Sequence, residues 1–474
     1  MRRALAAFLA LAALSAGLLI GTSAALVPQG DRVALFSRTL AGQPAAAEGL
    51  ELTAVRTCGD HLFWVTTLPA HAPGEASTLF GFAGAPQYLD IPWAEQPPLT
   101  VELALNGYVI NGDAHPVYDA ILETMAGQTE RRPGDELLYT REDGTQALRR
   151  QVQLSDYTDV LPLTVFYSPV DGMDALAARL QDYFSIPVPD GLTVEVRMAV
   201  APSGELVSGT LWQDRLTLTS PGVRRGDGIL FTLCPGGALA GALDGGGIPG
   251  GWGLYWMDGA GRSLETRWSL PAGERPAGFW ADGDTLFFLS RDQDTAWLYL
   301  LDAGSLETRQ RLPLFPLDKA EENPISHLDA EAGFAAVVSP GHLSVLRRDG
   351  AGAWELSFTA ETGQLEALGC RPLYQQLEMM GTESVGWVFD GARLAVTGDC
   401  LGSPDYSWYA AVFAGGELTY LGVYGTSLER SYCEELTYWG AYLDTDRTVS
   451  PADSPRCLAS WADSTSLFPP DVVN

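Results

Sequence analysis

The chain has 474 residues and a formal net charge of −30, with 46% hydrophobic and 19% charged residues. The hydrophobic share excludes an intrinsically disordered chain, and so acidic a surface repels nucleic-acid phosphates and anionic headgroups, which excludes a nucleic-acid partner. The 52 glycines and 30 prolines suit many short strands joined by turns, and the lone lysine, Lys319 in "LDKAEEN", fits neither Schiff-base nor P-loop chemistry.

Arg2 and Arg3 precede an uncharged run from Ala4 to Val27. A basic start followed by an apolar segment is an export signal. A signal-peptide core is about 7–15 residues, whereas a membrane span needs about 20. The run of 24 residues favours a retained transmembrane helix over residues 1–30. The two arginines stay in the cytoplasm and the rest lies outside. The alternative is secretion after cleavage near Ala25, where Ser23 and Ala25 provide small residues at the required spacing. No cysteine precedes Cys58, so the chain is no lipoprotein.

Along the chain, 31–96 reads as a first blade region, with "VRTCGDHLFWV" at 55–65 resembling "VRRGDGILFTL" at 223–233. Residues 97–220 fit no period and read as an α+β insertion, with room for one degenerate blade. One helix is expected in "HPVYDAILETMAG", with Pro116 in its first turn, and a second in "DGMDALAARLQDYF", with Asp171 as cap. Residues 193–212 then form a hairpin.

From 221 to 461 a repeat emerges. "LYWMDGAGRSLETRWSLP" at 254–271 is echoed by "LYLLDAGSLETRQRLP" at 298–313. Leu254 and Leu298 are 44 residues apart, while the shared "SLETR" recurs at 42. The second copy completes four strands, "GFWA", "TLFFLS", "AWLYLLD" and "ETRQRLPL", with Asp/Gly turns between them. The inner strands are apolar almost throughout, which implies burial on both faces. The last strand is charged, as edge strands are. Leu264, Glu265 and Arg267, and their counterparts Leu306, Glu307 and Arg309, mark that strand and are expected in equivalent, partly exposed positions. Weaker copies lie at 343–358, 387–399 and 409–424. Residues 430–461, helped by 31–38, are expected to complete the ring, and 462–474 form a tail. The fixed period favours a β-propeller over a β-sandwich. The expected fold is all-β: a degenerate propeller of six or seven four-stranded blades with an α+β insertion and an N-terminal transmembrane helix.

On these repeats the chain resembles the exported, membrane-anchored β-propeller proteins of unknown function of bacterial envelopes. The resemblance covers 31–461 at the level of architecture and implies no functional residue.

Chemistry-bearing motifs are sparse. "GGGIPG" at 245–250 matches G-x-G-x-x-G, but Pro249 and a following strand-like run make it a loop. His61, His71, His115, His327 and His342 form no metal spacing, and no G-x-S-x-G occurs. "SRDQDTAW" at 290–297 matches the Asp-box of sialidase-like propellers at Ser290, Asp292 and Trp297, with Asp294 in place of glycine and Ala296 in place of threonine. Asp444 and Asp446 read as solvated turn acids rather than calcium ligands. Six cysteines allow fifteen pairings, and Cys433 with Cys457 is the nominated disulfide because the two are near in sequence and flank the expected closure. No catalytic, cofactor-binding or metal-ligating residue is nominated, and no cofactor is expected. The expected function is a non-catalytic extracytoplasmic binding or scaffolding protein with a protein partner in the envelope. The reading leans away from an enzyme. The alternative is a propeller enzyme or glycan-binding module with an acidic central-channel site.

Overall fold

The computed structural model describes residues 11–18, 20–21, 32–58, 62–82, 98–105, 115–167, 172–212, 216–317, 326–329, 333–350, 352–375, 386–400, 406–427 and 456–461. The chain is mostly β, in several antiparallel sheets with few helices. It divides into two compact units, one of residues 1–94 with 325–474 and one of 95–324.

The first unit holds three sheets whose strands follow one another in chain order. Ser326–Asp329, Phe334–Ser339, His342–Arg348 and Trp354–Glu361 form one. Trp387–Phe389, Arg393–Asp399, Trp408–Ala414 and Glu417–Thr426 form a second, and Leu35–Gly42 adds to it as a fifth, edge strand beside Glu417–Thr426. Leu50–Cys58, Leu62–Pro69 and Ser77–Phe82 form the third, which is completed by Arg456–Trp461 beside Leu50–Cys58, with Leu52 opposite Ala459 and Ala54 opposite Cys457. The two ends of the chain therefore serve different sheets. Residues 35–42 do not help 456–461 close one sheet. The end of Leu35–Gly42 lies close against the strand it pairs with: Gly42 has φ +68, and a Cβ there would sit 1.9 Å from the Thr419 carbonyl oxygen.

The five-stranded sheet explains the continuous apolar runs. Leu394, Val396, Tyr409, Ala411 and Phe413 pack in one core with Phe334, Ala336, Val338 and Val345. Their alternate neighbours Ala395, Trp408, Ala410 and Val412 pack in another with Leu50, Leu52, Leu68 and Trp461. Because successive side chains point to opposite faces, a sheet buried between two others must be apolar at every position.

The second unit combines an α+β part with two further four-stranded sheets. Glu136–Thr140, Gln146–Gln153, Thr193–Val200 and Leu206–Trp212 form one sheet, ordered 206–212, 193–200, 146–153, 136–140. Helix Pro116–Ala126 begins with proline, and its N-cap is His115, whose Nδ1 accepts from the Val117 amide at 3.3 Å. Helix Met173–Tyr183 is capped by Gly172, and Asp171 lies outside the described residues. Leu99, Ile121, Leu148, Val196 and Leu180 share a single core with Ile229, Phe231, Tyr255 and Met257, so the 97–220 segment packs as one body with the sheet that follows it. That sheet is Gly222–Arg225, Gly228–Phe231, Gly253–Asp258 and Leu264–Ser269. Its other face, through Leu230 and Leu254, packs with Phe279, Leu286, Phe288 and Tyr299. The latter belong to the sheet Arg275–Asp282, Thr285–Arg291, Thr295–Asp302 and Thr308–Pro316, whose four strands are those expected from the repeat.

The repeat is conserved in the ladder but not in the motif. Trp268 pairs with Leu254 and Leu312 with Leu298, so the ladder there repeats with the 44-residue interval of the "LY" pair and not with the 42 of "SLETR", while Thr266 opposite Tyr255 and Arg311 opposite Tyr299 are 45 apart because the bulge falls at a different place in each strand. Leu264 opens its edge strand opposite Met257, whereas Thr308 takes that place opposite Leu301. Leu306 and Glu307 fall in the preceding turn, Leu306 with φ +61, so they are not equivalent to Leu264 and Glu265. The cause is a shorter turn: "DGAGRS" at 258–263 becomes "DAGS" at 302–305. Glu265, Arg267, Glu307 and Arg309 are all exposed.

The expected N-terminal transmembrane helix is not found among the described residues. Residues 11–18 are helical with Leu11, Leu14 and Leu18 exposed, and no described helix is long and apolar enough to cross a membrane. Residues 1–10, 19 and 22–30 of the proposed anchor, His61, Lys319, Cys433, Asp444, Asp446 and the 462–474 tail lie outside the described residues.

Candidate functional site

A surface cleft of about 490 Å³ opens in the first unit where turns of two neighbouring sheets meet. One wall is the hairpin between His342–Arg348 and Trp354–Glu361, which brings Arg347, Arg348, Asp349, Gly350 and Glu355. The other is the turn between Trp387–Phe389 and Arg393–Asp399, with Asp390 and Gly391. Phe334 and Phe389 lie at its apolar side with ring centroids 5.4 Å apart, and Trp387 meets Phe334 edge-on at 4.9 Å. The aromatic contacts fix the floor, because such pairs add attraction to the burial of their area.

The polar rim is held in place. Arg347 donates from Nε to Glu355 Oε1 at 2.6 Å and from an Nη to the Gly391 carbonyl at 3.3 Å, joining the two walls. Arg348 donates to the Gly352 carbonyl at 3.2 Å, with its guanidinium 5.8 Å from the Trp354 ring. Asp349 accepts from the Ala353 amide at 2.8 Å. Burial works against the charge of Asp390, but hydrogen bonds from the Arg393 and Ala392 amides and the Arg393 guanidinium outweigh it and hold the carboxyl below its usual range. The lining contains no Ser, Thr, Cys, His, Tyr or Lys, so the cleft offers no side-chain nucleophile of those kinds. It offers two guanidiniums, three carboxylates and an aromatic floor, which suits binding of a polar group that presents both acceptors and donors.

A buried constellation in the second unit has a different character. Glu274, only 6% exposed, accepts from Ser290 Oγ at 2.6 Å, from the Tyr299 hydroxyl at 2.9 Å and from Arg311 at 2.8 Å. Arg311 in turn lies 3.5 Å from the Trp297 ring centroid. Burial, then the Glu274 carboxylate, pushes the Tyr299 hydroxyl well above its usual value, so it stays a donor. With donors from three side chains on its two oxygens, this carboxylate is a strut that ties the entry of one strand to three others. Beside it, Asp292 takes the amides of Asp294 and Thr295 on one oxygen, both at 2.8 Å, and Trp297 Nε1 on the other at 2.9 Å. The "SRDQDTAW" resemblance thus corresponds to a real turn, a structural one.

No sequence signal marked the cleft as a site: its polar residues come from two turns and carry no catalytic or ligand-binding motif. The repeat markers lie elsewhere, at an edge strand and its turn. Arg267 pairs with Glu265, and Arg309 with Asp302. Cys457 is buried in the strand Arg456–Trp461, and its nominated partner Cys433 is outside the described residues. "GGGIPG" forms turns and not a helix start. Among the described residues, no group of three or more His, Cys, Asp or Glu is placed to hold a metal ion.

No protein-family model matches the chain, and no curated protein matches it. Among solved structures it is similar to a 6-phosphogluconolactonase-like protein of Bacteroides fragilis, at 11% identity over 78% of this chain and 93% of that one, with a TM-score of 0.27. It is similar to a protein from Lactobacillus plantarum at 12% identity, covering 80% and 99% of the two chains, with a TM-score of 0.24. An oligogalacturonate lyase in complex with manganese matches at 12% identity over 82% and 96%, with a TM-score of 0.26. Likeness at this level transfers neither residues nor activity to this chain.

Proposed function

We propose that this chain is a non-catalytic, extracytoplasmic binding or scaffolding protein whose four-stranded sheets are blades of a degenerate β-propeller, exported through its basic and apolar amino terminus. The observation that carries the reading is the cleft at 333–391. Its charged groups are engaged in bonds that hold two turns together, and its open, polar mouth over an aromatic floor is suited to holding a partner's polar segment. Rigid sheets presenting shaped turns are a common basis for recognition, since ligands are met by loops positioned on a scaffold.

The test uses a photo-crosslinking amino acid at Glu355 in the exported, full-length protein, with Thr210 of the other unit as control site. The expected result is a discrete envelope-protein adduct from position 355 that is lost in Arg347→Ala/Arg348→Ala. A chain retained in the cytoplasm, or an adduct indifferent to both arginines, refutes the reading. A second reading, a glycan-binding or glycan-cleaving module, draws on Asp349, Glu355 and Asp390 around the same cleft. It predicts binding of a polysaccharide by the purified protein that weakens in the same double variant.

A further inference from the structure

We propose that Cys370 and Cys400 form an intramolecular disulfide that fastens the linker between two sheets of the first unit. Cys370 follows the short helix Gly363–Ala367, in the connection leaving strand Trp354–Glu361. Cys400 directly follows strand Arg393–Asp399. The two cysteines face each other as an isolated antiparallel bridge. The Arg371 amide donates to the Asp399 carbonyl at 2.8 Å, so the hydrogen bond flanks the cysteine pair and does not join it. At such non-hydrogen-bonded positions opposed Cα atoms lie about 4.5 Å apart with side chains on the same face, inside the roughly 4.4–6.8 Å that a disulfide spans.

Two further observations place the two side chains in one neighbourhood. Both side chains belong to the apolar cluster that contains Tyr409, Val396 and Leu365. Burial first, and then both thiols, push the Tyr409 hydroxyl up, so both lie within electrostatic reach of one oxygen. That hydroxyl donates to the Arg371 carbonyl at 3.2 Å, which fixes the backbone next to Cys370. Cys370 is fully buried and Cys400 half-buried, which sets the order of events.

The oxidant is a small-molecule or protein disulfide. The Cys400 thiolate attacks it, forming a mixed disulfide and releasing one thiol. The Cys370 thiolate then attacks the Cys400 sulfur, forming the Cys370–Cys400 bond and expelling the second thiol. The two protein thiols lose two electrons and two protons, and the incoming disulfide takes up both. The pairing is independent of the cleft reading.

The test treats the full-length protein with oxidised glutathione, alkylates it in denaturant and maps its peptides without reductant. The expected product is a linked pair carrying Cys370 and Cys400, two hydrogens lighter than the dithiol. Its Tm should exceed that of the reduced protein by about 5 °C, a difference absent in Cys400→Ser. Alkylation of both thiols, a glutathione adduct persisting on Cys400, or a link from Cys370 to another cysteine overturns the proposal. A linked pair without a Tm difference overturns the fastening role.

Discussion

Replacing Glu274 with alanine should unfasten the 275–316 sheet at its entry. The carboxylate serves Ser290 and Tyr299, which are 0% and 4% exposed, and Arg311, whose side chain is 38% exposed. A buried donor left without an acceptor costs about 1–3 kcal/mol. The two hydroxyls therefore dominate, since Arg311 reaches water and its own loss is small. Adding the vacated side-chain volume gives about 4 kcal/mol, within the roughly 3–5 kcal/mol typical of breaking a buried pair. At about 1.4 kcal/mol per decade, amide exchange in Thr285–Arg291 and Thr295–Asp302 should accelerate by roughly a thousandfold where it proceeds through opening of this sheet. Exchange read by mass spectrometry is the suitable assay, because two units need not unfold in one transition. Tyr299→Phe should do much less, since it leaves the carboxylate with Ser290 and Arg311. Arg309→Ala, which removes exposed pairs with Asp302 and Asp284 and a long hydrogen bond of 3.5 Å to Thr285 Oγ1, should change exchange by no more than about threefold. A less than tenfold effect of Glu274→Ala would show that the constellation is not a strut.

In the α+β part, Asp135 holds Arg150 by two hydrogen bonds of 2.8 and 2.5 Å, both side chains being buried, and Asp135→Ala should cost about 3–5 kcal/mol by equilibrium denaturation. The hydrogen bond from Arg150 is the main cause of the lowered Asp135 pKa. Its contribution is therefore complete above the ordinary aspartate value of 3.8 and disappears as pH falls through the lower folded value, so the acid limb of the stability profile should flatten in Asp135→Ala. Trp461 is 3% exposed, donates to the Val388 carbonyl at 3.2 Å and carries Arg393 4.0 Å from its ring centroid; Trp461→Ala should cost about 3–5 kcal/mol, read as faster exchange in Leu50–Cys58.

Where the sequence was legible, one physical rule made it so. A strand buried on both faces cannot alternate, and "TLFFLS" and "AWLYLLD" were recognisable as central strands for that reason. Alternate residues of Trp408–Ala414 do enter two different cores. Helix Pro116–Ala126 was legible from its proline and its apolar spacing, whereas the cap of the second helix fell on Gly172 and not Asp171, because a left-handed entry of φ +84 favours glycine. The cleft was illegible. Its arginines and acids are divided between two turns, and only the packing of one sheet beside another brings them together. Cys370 and Cys400 were overlooked for the same reason: closeness in sequence favoured Cys433 with Cys457, while the bridge that opposes 370 and 400 depends on where a linker crosses a strand end.

The slipped "SLETR" repeat shows what the fold retains. Between the two copies the turn shortens by two residues, so the motif moves by two where the edge strand opens, and by three past the bulge at Arg309, where Glu265 and Thr266 have Gln310 and Arg311 as their counterparts in the ladder. An even shift returns a side chain to the same face and an odd one carries it to the opposite face, and the bulge in each strand turns the one into the other. No motif residue keeps its partner, yet both edge strands keep their charged residues exposed. Gln310 now faces Leu300 where Glu265 faces Trp256, and both copies leave their arginine, Arg267 or Arg309, unmatched at a bulge. What persists between the two sheets is the exposure of the charged edge strand and a bulge at its arginine, not the identity of the five letters.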